Sequence, residues 1–169
     1  MTSEVKAEIQ EPQIPPPEVE NETQIYRFDG PYAFLALEYP CQVVYDDHIY
    51  GNAAVLFYAL RATNERSRMK IARLSTNKAR QKSSALPDNP EYDDNREYFL
   101  KLAVRAKFDA YPDLRAKLLK TRPKKLINTV SYLDDWVGIR ESNGRGNNML
   151  GKVLMEVRDE YGDQDLSSY

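Results

Sequence analysis

A single histidine and a single cysteine narrow the chemistry open to this 169-residue chain. Nucleophilic catalysis of the Ser-His or Cys-His kind would rest entirely on His48, and that residue reads more simply as part of a turn or strand. Cys41 has no second cysteine to bridge to, and with only His48 beside it there is no zinc-binding set. Acid-base work would fall to carboxylates, of which the chain has 26. Asp93, Asp94 and Glu97 are explained by position, since the first turn of an expected helix favours negative charge. No metal ion or cofactor is expected.

Two further patterns bear on anions. Residues 61–82 carry eight basic side chains (Arg61, Arg66, Arg68, Lys70, Arg73, Lys78, Arg80, Lys82) against Glu65. Such a run can attract phosphate oxygens, and it can equally be the solvated faces of helices. It contains no aromatic residue on which bases could stack, so a nucleic-acid-associated basic protein is kept as the weakest of three alternatives and nucleic acid is not the expected partner. Gly144, Gly146 and Gly151 resemble a phosphate loop only loosely, because neither GxGxxG nor GxxxxGK[ST] is present. Leading into a helix, that stretch either places backbone donors at an anion or is a turn followed by a glycine at a tight helix contact. Both readings stay open.

The elements that must position these groups follow from local pattern. Val43, Val44, Tyr45, Ile49 and Tyr50 flank Asp46-Asp47 and predict a strand pair with a tight polar turn. Asn52 is placed to cap AAVLFYALRA, a run apolar nearly all round and so expected to be a buried helix. Ser75 or Thr76 caps a helix through Ala79 and Gln81 that LPDNP at 86–90 stops. Pro90 suits the first turn of the next helix, with Asn89 as cap, running to about Phe108. Pro112 opens a short helix ending near Thr121, and residues 126–128 read as a short strand. After an irregular stretch from Trp136 to Gly146, Leu150, Val153, Leu154, Val157 and Tyr161 form the stripe of an amphipathic helix.

Apolar residues at 41% and charged residues at 30% describe an ordinary globular chain and disfavour wholesale disorder. No stretch reaches the roughly 18 apolar residues of a membrane span, and the first residues lack the apolar and basic regions of a signal peptide, so a soluble, cytoplasmic protein is expected. The net charge of -2 hides an uneven distribution, because residues 25–158 sum to +7 between two acidic ends. Residues 1–24 hold six glutamates and four prolines, the composition of a solvated extended tail suited to contacting a protein partner. The expected organisation is a tail at 1–24, one domain at 25–161 and an acidic C-terminal tail at 162–169.

The order YAFLALEYPCQVVYDDHIYGNAAVLFYALRA, AVRAKFDAYPDLRAKLLKT and DWVGIRESNGRGNNMLGKVLMEVR resembles the NADAR family, the YbiA-like N-glycosidases. Their pattern runs through FLSNFYPCPVVYDG, YPxxExxFQAxK, WxxxRxxxM, AKFxxxPxLxxxLLxTxxxxLxE, DxxWG and GxNxLGxxLMxxR. The resemblance covers about residues 26–158. It implies a compact, mainly helical α+β domain with a few short strands, binding a ribose-containing or ribityl phosphate ligand. In active members it implies hydrolysis of an N-glycosidic bond, with riboflavin-pathway intermediates and ADP-ribosylated guanine as substrates.

Such hydrolysis passes through an oxocarbenium-like state and needs carboxylates. Carried over position by position, the family glutamate of YPxxExxFQAxK falls on Ala54 and its glutamine on Tyr58. The glutamate ending LLxTxxxxLxE falls on Asn128, the aspartate of DxxWG on Leu133 and its glycine on Val137. The SN pair of FLSNF falls on Ala36 and Leu37. Framework positions such as Lys107, Phe108, Pro112, Thr121, Gly146, Asn148, Gly151 and Arg158 match. The resemblance therefore implies a scaffold with its polar site replaced, and losing one charge-stabilising group costs on the order of 10²-fold or more in rate. The expected protein is a catalytically inactive module that binds a nucleotide or ADP-ribose-like ligand or a protein partner. Its pocket is expected from Tyr58, Arg61, Tyr92, Arg96, Trp136, Gly146 and Asn148. The alternative is an active N-glycosidase in which Asp134 or Asp135 substitutes for the lost aspartate. So small a diverged copy would suit a viral or accessory genome.

Overall fold

Asp46 and Asp47 both adopt left-handed φ values, 49° and 62°, so the two-residue loop between β2 (Val43–Tyr45) and β3 (His48–Tyr50) is of the kind whose twist suits a hairpin. Short acidic side chains tolerate that conformation because they bond locally. The register pairs Val43 with Tyr50 and Tyr45 with His48. The computed structural model describes residues 18–130 and 135–166. Most of the expected N-terminal tail, residues 1–17, and the last residues, 167–169, lie outside them.

Asn52 caps α1 (Ala53–Ala59), its side chain accepting from the Val55 amide at 2.9 Å. Every residue of α1 except Tyr58 is buried, so the helix sits at the centre with α2 (Glu65–Ala72), α3 (Thr76–Ser84) and α5 (Arg96–Ala110) packed round it. A further helix, α6 (Pro112–Lys120), and the long α7 (Met149–Leu166) close the other side of α5. The stripe Leu150, Val153, Leu154, Val157 and Tyr161 is buried as its spacing required, and the helix continues past it to Leu166.

The helix expected from Pro90 to about Phe108 is two helices. The first, α4 (Pro90–Asp94), stops at Asn95, where α5 begins. Asn95 donates through its side-chain amide to the Glu91 carbonyl at 2.7 Å, taking the acceptor that a continuous helix would give to its backbone.

Two pairings join distant segments. The strands β1 (Gln24–Ile25) and β4 (Lys125–Leu126) run parallel, as do β5 (Thr129–Val130) and β6 (Ile139–Arg140). Residues 18–24 therefore join the domain: Glu20 accepts from the Tyr32 hydroxyl at 2.8 Å and from Lys124 Nζ at 2.6 Å. The result is the mainly helical α+β domain with short strands that the sequence implied. Among the described residues no helix is long and apolar enough to cross a membrane.

Candidate functional site

The surroundings of α1 begin with Lys107. Its side chain is 1% exposed, and its ammonium donates to the carbonyls of Phe34 and Ala36, both at 2.8 Å. Burial pushes its pKa down to about 8. The 3-10 turn Gly30–Leu35 and the residues after it are thereby tied to α5. Ala36, Leu37 and Glu38, at the end of this turn, form one side of a cavity of about 440 Å³. The other walls come from Arg27 to Asp29, from Phe57 and Tyr58 of α1, from Asn128 to Val130, and from Val137, Glu141 and Leu150. That volume lies in the range that small-molecule ligands occupy.

A second cavity of about 490 Å³ adjoins it, sharing Phe57 and Tyr58. It is lined by Arg61 at the end of α1, by Arg80, Ser83 and Ser84 of α3, by Tyr92 and Asp93 of α4, and by Arg96 of α5. Phe57 and Tyr58 are the residues that line both. Trp136 stacks parallel on Phe57 with ring centroids 6.1 Å apart, and the Arg96 guanidinium lies 4.1 Å above the Trp136 ring.

The residues singled out from sequence divide between the cavities and their supports. Tyr58, Asn128, Arg61, Tyr92 and Arg96 line one cavity or both, and Trp136 packs behind them. Tyr92 is buried, its hydroxyl donates to the Phe57 carbonyl at 3.1 Å, and burial raises its pKa. Arg61 is held by the carbonyls of Ser83 at 2.5 Å and Leu86 at 3.3 Å and by Asp93 at 3.4 Å. Ala54 lines neither cavity: it is 0% exposed and its amide donates to Leu37 O at 3.0 Å.

Gly146 and Asn148 act on the loop instead. Asn148, at φ 49°, accepts from the Asn128 amide at 2.8 Å and donates to the Leu126 carbonyl at 3.0 Å. Gly146 has φ 143°, a conformation open mainly to glycine, where the chain crosses the Gly138 carbonyl. A side chain on Gly151 would be driven into the Leu126 carbonyl, so α7 meets β4 backbone to backbone there. This is the tight helix contact, the second of the two readings of the glycines. Asp135 is exposed and forms a bidentate pair with Arg140 at 2.5 and 3.0 Å. Leu133 and Asp134 lie outside the described residues. His48 pairs with Glu65 at 2.7 Å on the surface.

Three carboxylates at the first cavity escaped sequence reasoning: Asp29, Glu38 and Glu141, all exposed, with Glu141 paired to Arg27. The signal for Glu38 was its place next to Leu37 at the family's SN pair; Asp29 and Glu141 had none. Among the described residues no group of three His, Cys, Asp or Glu side chains is placed to hold a metal ion. Most of the basic run is exposed on α2 and α3, and only Arg61 and Arg80 reach the second cavity.

The fold is a small α+β domain with two cavities of small-molecule size beside a largely buried helix. The chain belongs to the NADAR domain family, whose pattern matches residues 22–161. It is similar to the N-glycosidase YbiA of Shigella boydii serotype 4, 34% identical over 109 residues that make up 62% of this chain and 66% of that protein. The N-glycosidase YbiA of Shigella flexneri serotype 5b is 31% identical over 120 residues, 68% of this chain and 72% of that one. Among solved structures, the NMR structure of Escherichia coli YbiA superposes with a TM-score of 0.77 at 27% identity, covering 88% of this chain and 90% of that one.

Proposed function

We propose that this NADAR domain binds a nucleotide or ADP-ribose-like ligand in the cleft beside α1 without hydrolysing its N-glycosidic bond. The observation that carries this reading is a cavity of about 440 Å³ lined by Leu37 and Asn128, at positions where active members carry other polar residues. The family glutamate position is Ala54, 0% exposed and bonded through its amide to the Leu37 carbonyl, and Leu37 itself stands where the family has a polar residue. At the Ala54 and Leu37 positions an oxocarbenium-like state finds alkyl groups, which cannot stabilise positive charge. Asn128, at the second family acid position, can hydrogen-bond a ligand hydroxyl but cannot neutralise a cation.

The second reading is an active N-glycosidase, favoured by one observation: Asp29, Glu38 and Glu141 stand at the same cavity. The test is incubation of the full chain with ADP-ribose-type and riboflavin-pathway nucleotides, following binding by calorimetry and base release by chromatography. Binding without release is expected. Release at rates typical of enzymes, about 1 to 10³ per second, would overturn the reading, and loss of that release in Asp29→Asn, Glu38→Gln or Glu141→Gln would identify the acid. If alanine at Asp134 and Asp135 alone abolished it, the substitute would be there instead.

A further inference from the structure

Asn143 is the only asparagine of the chain that a glycine follows. It lies two residues beyond Glu141, which lines the first cavity, in a turn whose residues from Glu141 to Gly146 are all exposed. Two backbone bonds close the turn, from the Arg140 amide to the Arg145 carbonyl and from the Gly144 amide to the Arg140 carbonyl, both at 2.8 Å. The side-chain oxygen of Asn143 accepts from the Arg145 amide at 3.0 Å. That bond folds the side-chain carbonyl forward along the Gly144 peptide unit and draws electron density from the carbonyl carbon. Gly144, at φ 68°, has no Cβ to shield its nitrogen, and a Cβ built there would meet nothing within 4 Å. An electrophilic amide carbon and an unshielded backbone nitrogen thus adjoin in an exposed turn.

We propose that Asn143 is a self-modification site, at which the side chain cyclises onto the Gly144 nitrogen and the resulting isoaspartate loosens the wall of the first cavity. The Gly144 nitrogen forms a bond to Asn143 Cγ as the Cγ–Nδ2 bond breaks. The Gly144 amide proton leaves with Nδ2 as ammonia, and a succinimide ring remains. Water, the only co-reactant, then opens the ring: breaking the new bond at Cγ gives aspartate, and breaking the original peptide bond gives isoaspartate. The nitrogen must first leave the Arg140 carbonyl, so the rate follows local opening of the turn. Isoaspartate routes the main chain through Cβ and lengthens it by one methylene, so the closure between Arg140 and Arg145 no longer fits. Next to that closure the Glu141 amide donates to the Val130 carbonyl at 3.2 Å and the Ile139 amide to the Asn128 carbonyl at 2.9 Å. Asn128, Val130 and Glu141 all line the first cavity. The inference concerns the chain's own chemistry and does not depend on which ligand the cavity takes.

The experiment is prolonged incubation of the folded full chain at neutral and mildly alkaline pH, with peptide mapping by mass spectrometry and enzymatic methylation of isoaspartyl carboxylates. Product is expected at Asn143, with a mass gain equal to the exchange of NH for O. It should form faster at the higher pH, because the attacking nitrogen must lose its proton. The charged groups about the turn are Arg140, Glu141 and Arg145 within it and Asp135, which pairs with Arg140. Asn147, equally exposed but followed by Asn148, should stay intact, since the Asn148 side chain shields the nitrogen that would attack. Asn143→Gln, which would have to close a larger ring, should reduce product to background. Freshly prepared N143D carries the new charge without the added methylene and so separates the two effects. The Glu141 and Ile139 amides should exchange hydrogen about 2- to 10-fold faster in the isoaspartyl protein than in N143D, the loss of roughly one hydrogen bond. Product in the urea-unfolded chain but none in the folded chain would overturn the site. Modified protein that exchanges as N143D does would overturn the loosening of the cavity wall.

Discussion

Replacing Lys107 with methionine should cost stability in a way that depends on pH. The buried ammonium donates to the carbonyls of Phe34 and Ala36, and the Ala36 carbonyl keeps a second donor in the Tyr39 amide at 3.2 Å. Methionine keeps the bulk of the stem and donates nothing, so Phe34 loses its amine donor and Ala36 loses one of two, together about 2–4 kcal/mol. Against that stands relief of the desolvation penalty that pushes the lysine pKa from 10.5 down to about 8, worth roughly 3 kcal/mol while the group is charged. At pH 7 the two nearly cancel, and K107M should lie within about 1 kcal/mol of the wild type. Between pH 8 and 10.5 the unfolded chain holds a proton that the folded chain has released, so wild-type stability rises with pH. By pH of about 9.5 the wild type should have gained roughly 2 kcal/mol that K107M cannot gain. Urea denaturation of both proteins at the two pH values, followed by circular dichroism, measures this. Tyrosine titrations common to both cancel in the difference. A cost for K107M that is the same at both pH values would refute the reasoning. K107M should also loosen the turn beside the first cavity and weaken adenosine binding.

Three further predictions concern the same region. Asn148→Ala removes the acceptor for the Asn128 amide and the donor to Leu126 at a position with φ 49°, and should lower unfolding free energy by about 2–4 kcal/mol in urea titrations. Tyr92→Phe loses the hydroxyl bond to the Phe57 carbonyl, about 1 kcal/mol near neutral pH. Because burial raises the Tyr92 pKa above its ordinary 10.0, the stability tied to its neutral form is lost as pH climbs above that value, and Y92F should flatten the alkaline decline. Ala54→Glu places a carboxylate in a fully buried position bonded through its amide to the Leu37 carbonyl and should destabilise the domain by about 3–5 kcal/mol without producing base release. A variant as stable as the wild type would mean that the cavity reaches Ala54, against its burial away from both cavities.

Much of this domain was legible from neighbours along the chain. The Asp46-Asp47 hairpin, the Asn52 and Asn89 caps and the α7 stripe depend on bonds and contacts within about four residues. The break at Asn95 is also local, but it turns on a side chain choosing its own backbone, which hydrophobic periodicity does not reveal. Arg61 and Arg96 look alike in sequence. Packing ties the first to three acceptors and lays the second over the Trp136 ring at the second cavity.

The sequence by itself limited the chain to one histidine and one cysteine, and its family resemblance aligns Ala54 and Asn128 with positions where active members carry carboxylates. Residue identities at matched positions need no coordinates. Only the tertiary structure decided that Asp29, Glu38 and Glu141 meet at one cavity while Arg80 and Arg96 meet at the next. Those groups come from segments far apart in the chain, brought together by two-residue parallel pairings and by helices closing round α1. Such long-range contacts arise from the burial of the whole core, which no local spacing encodes.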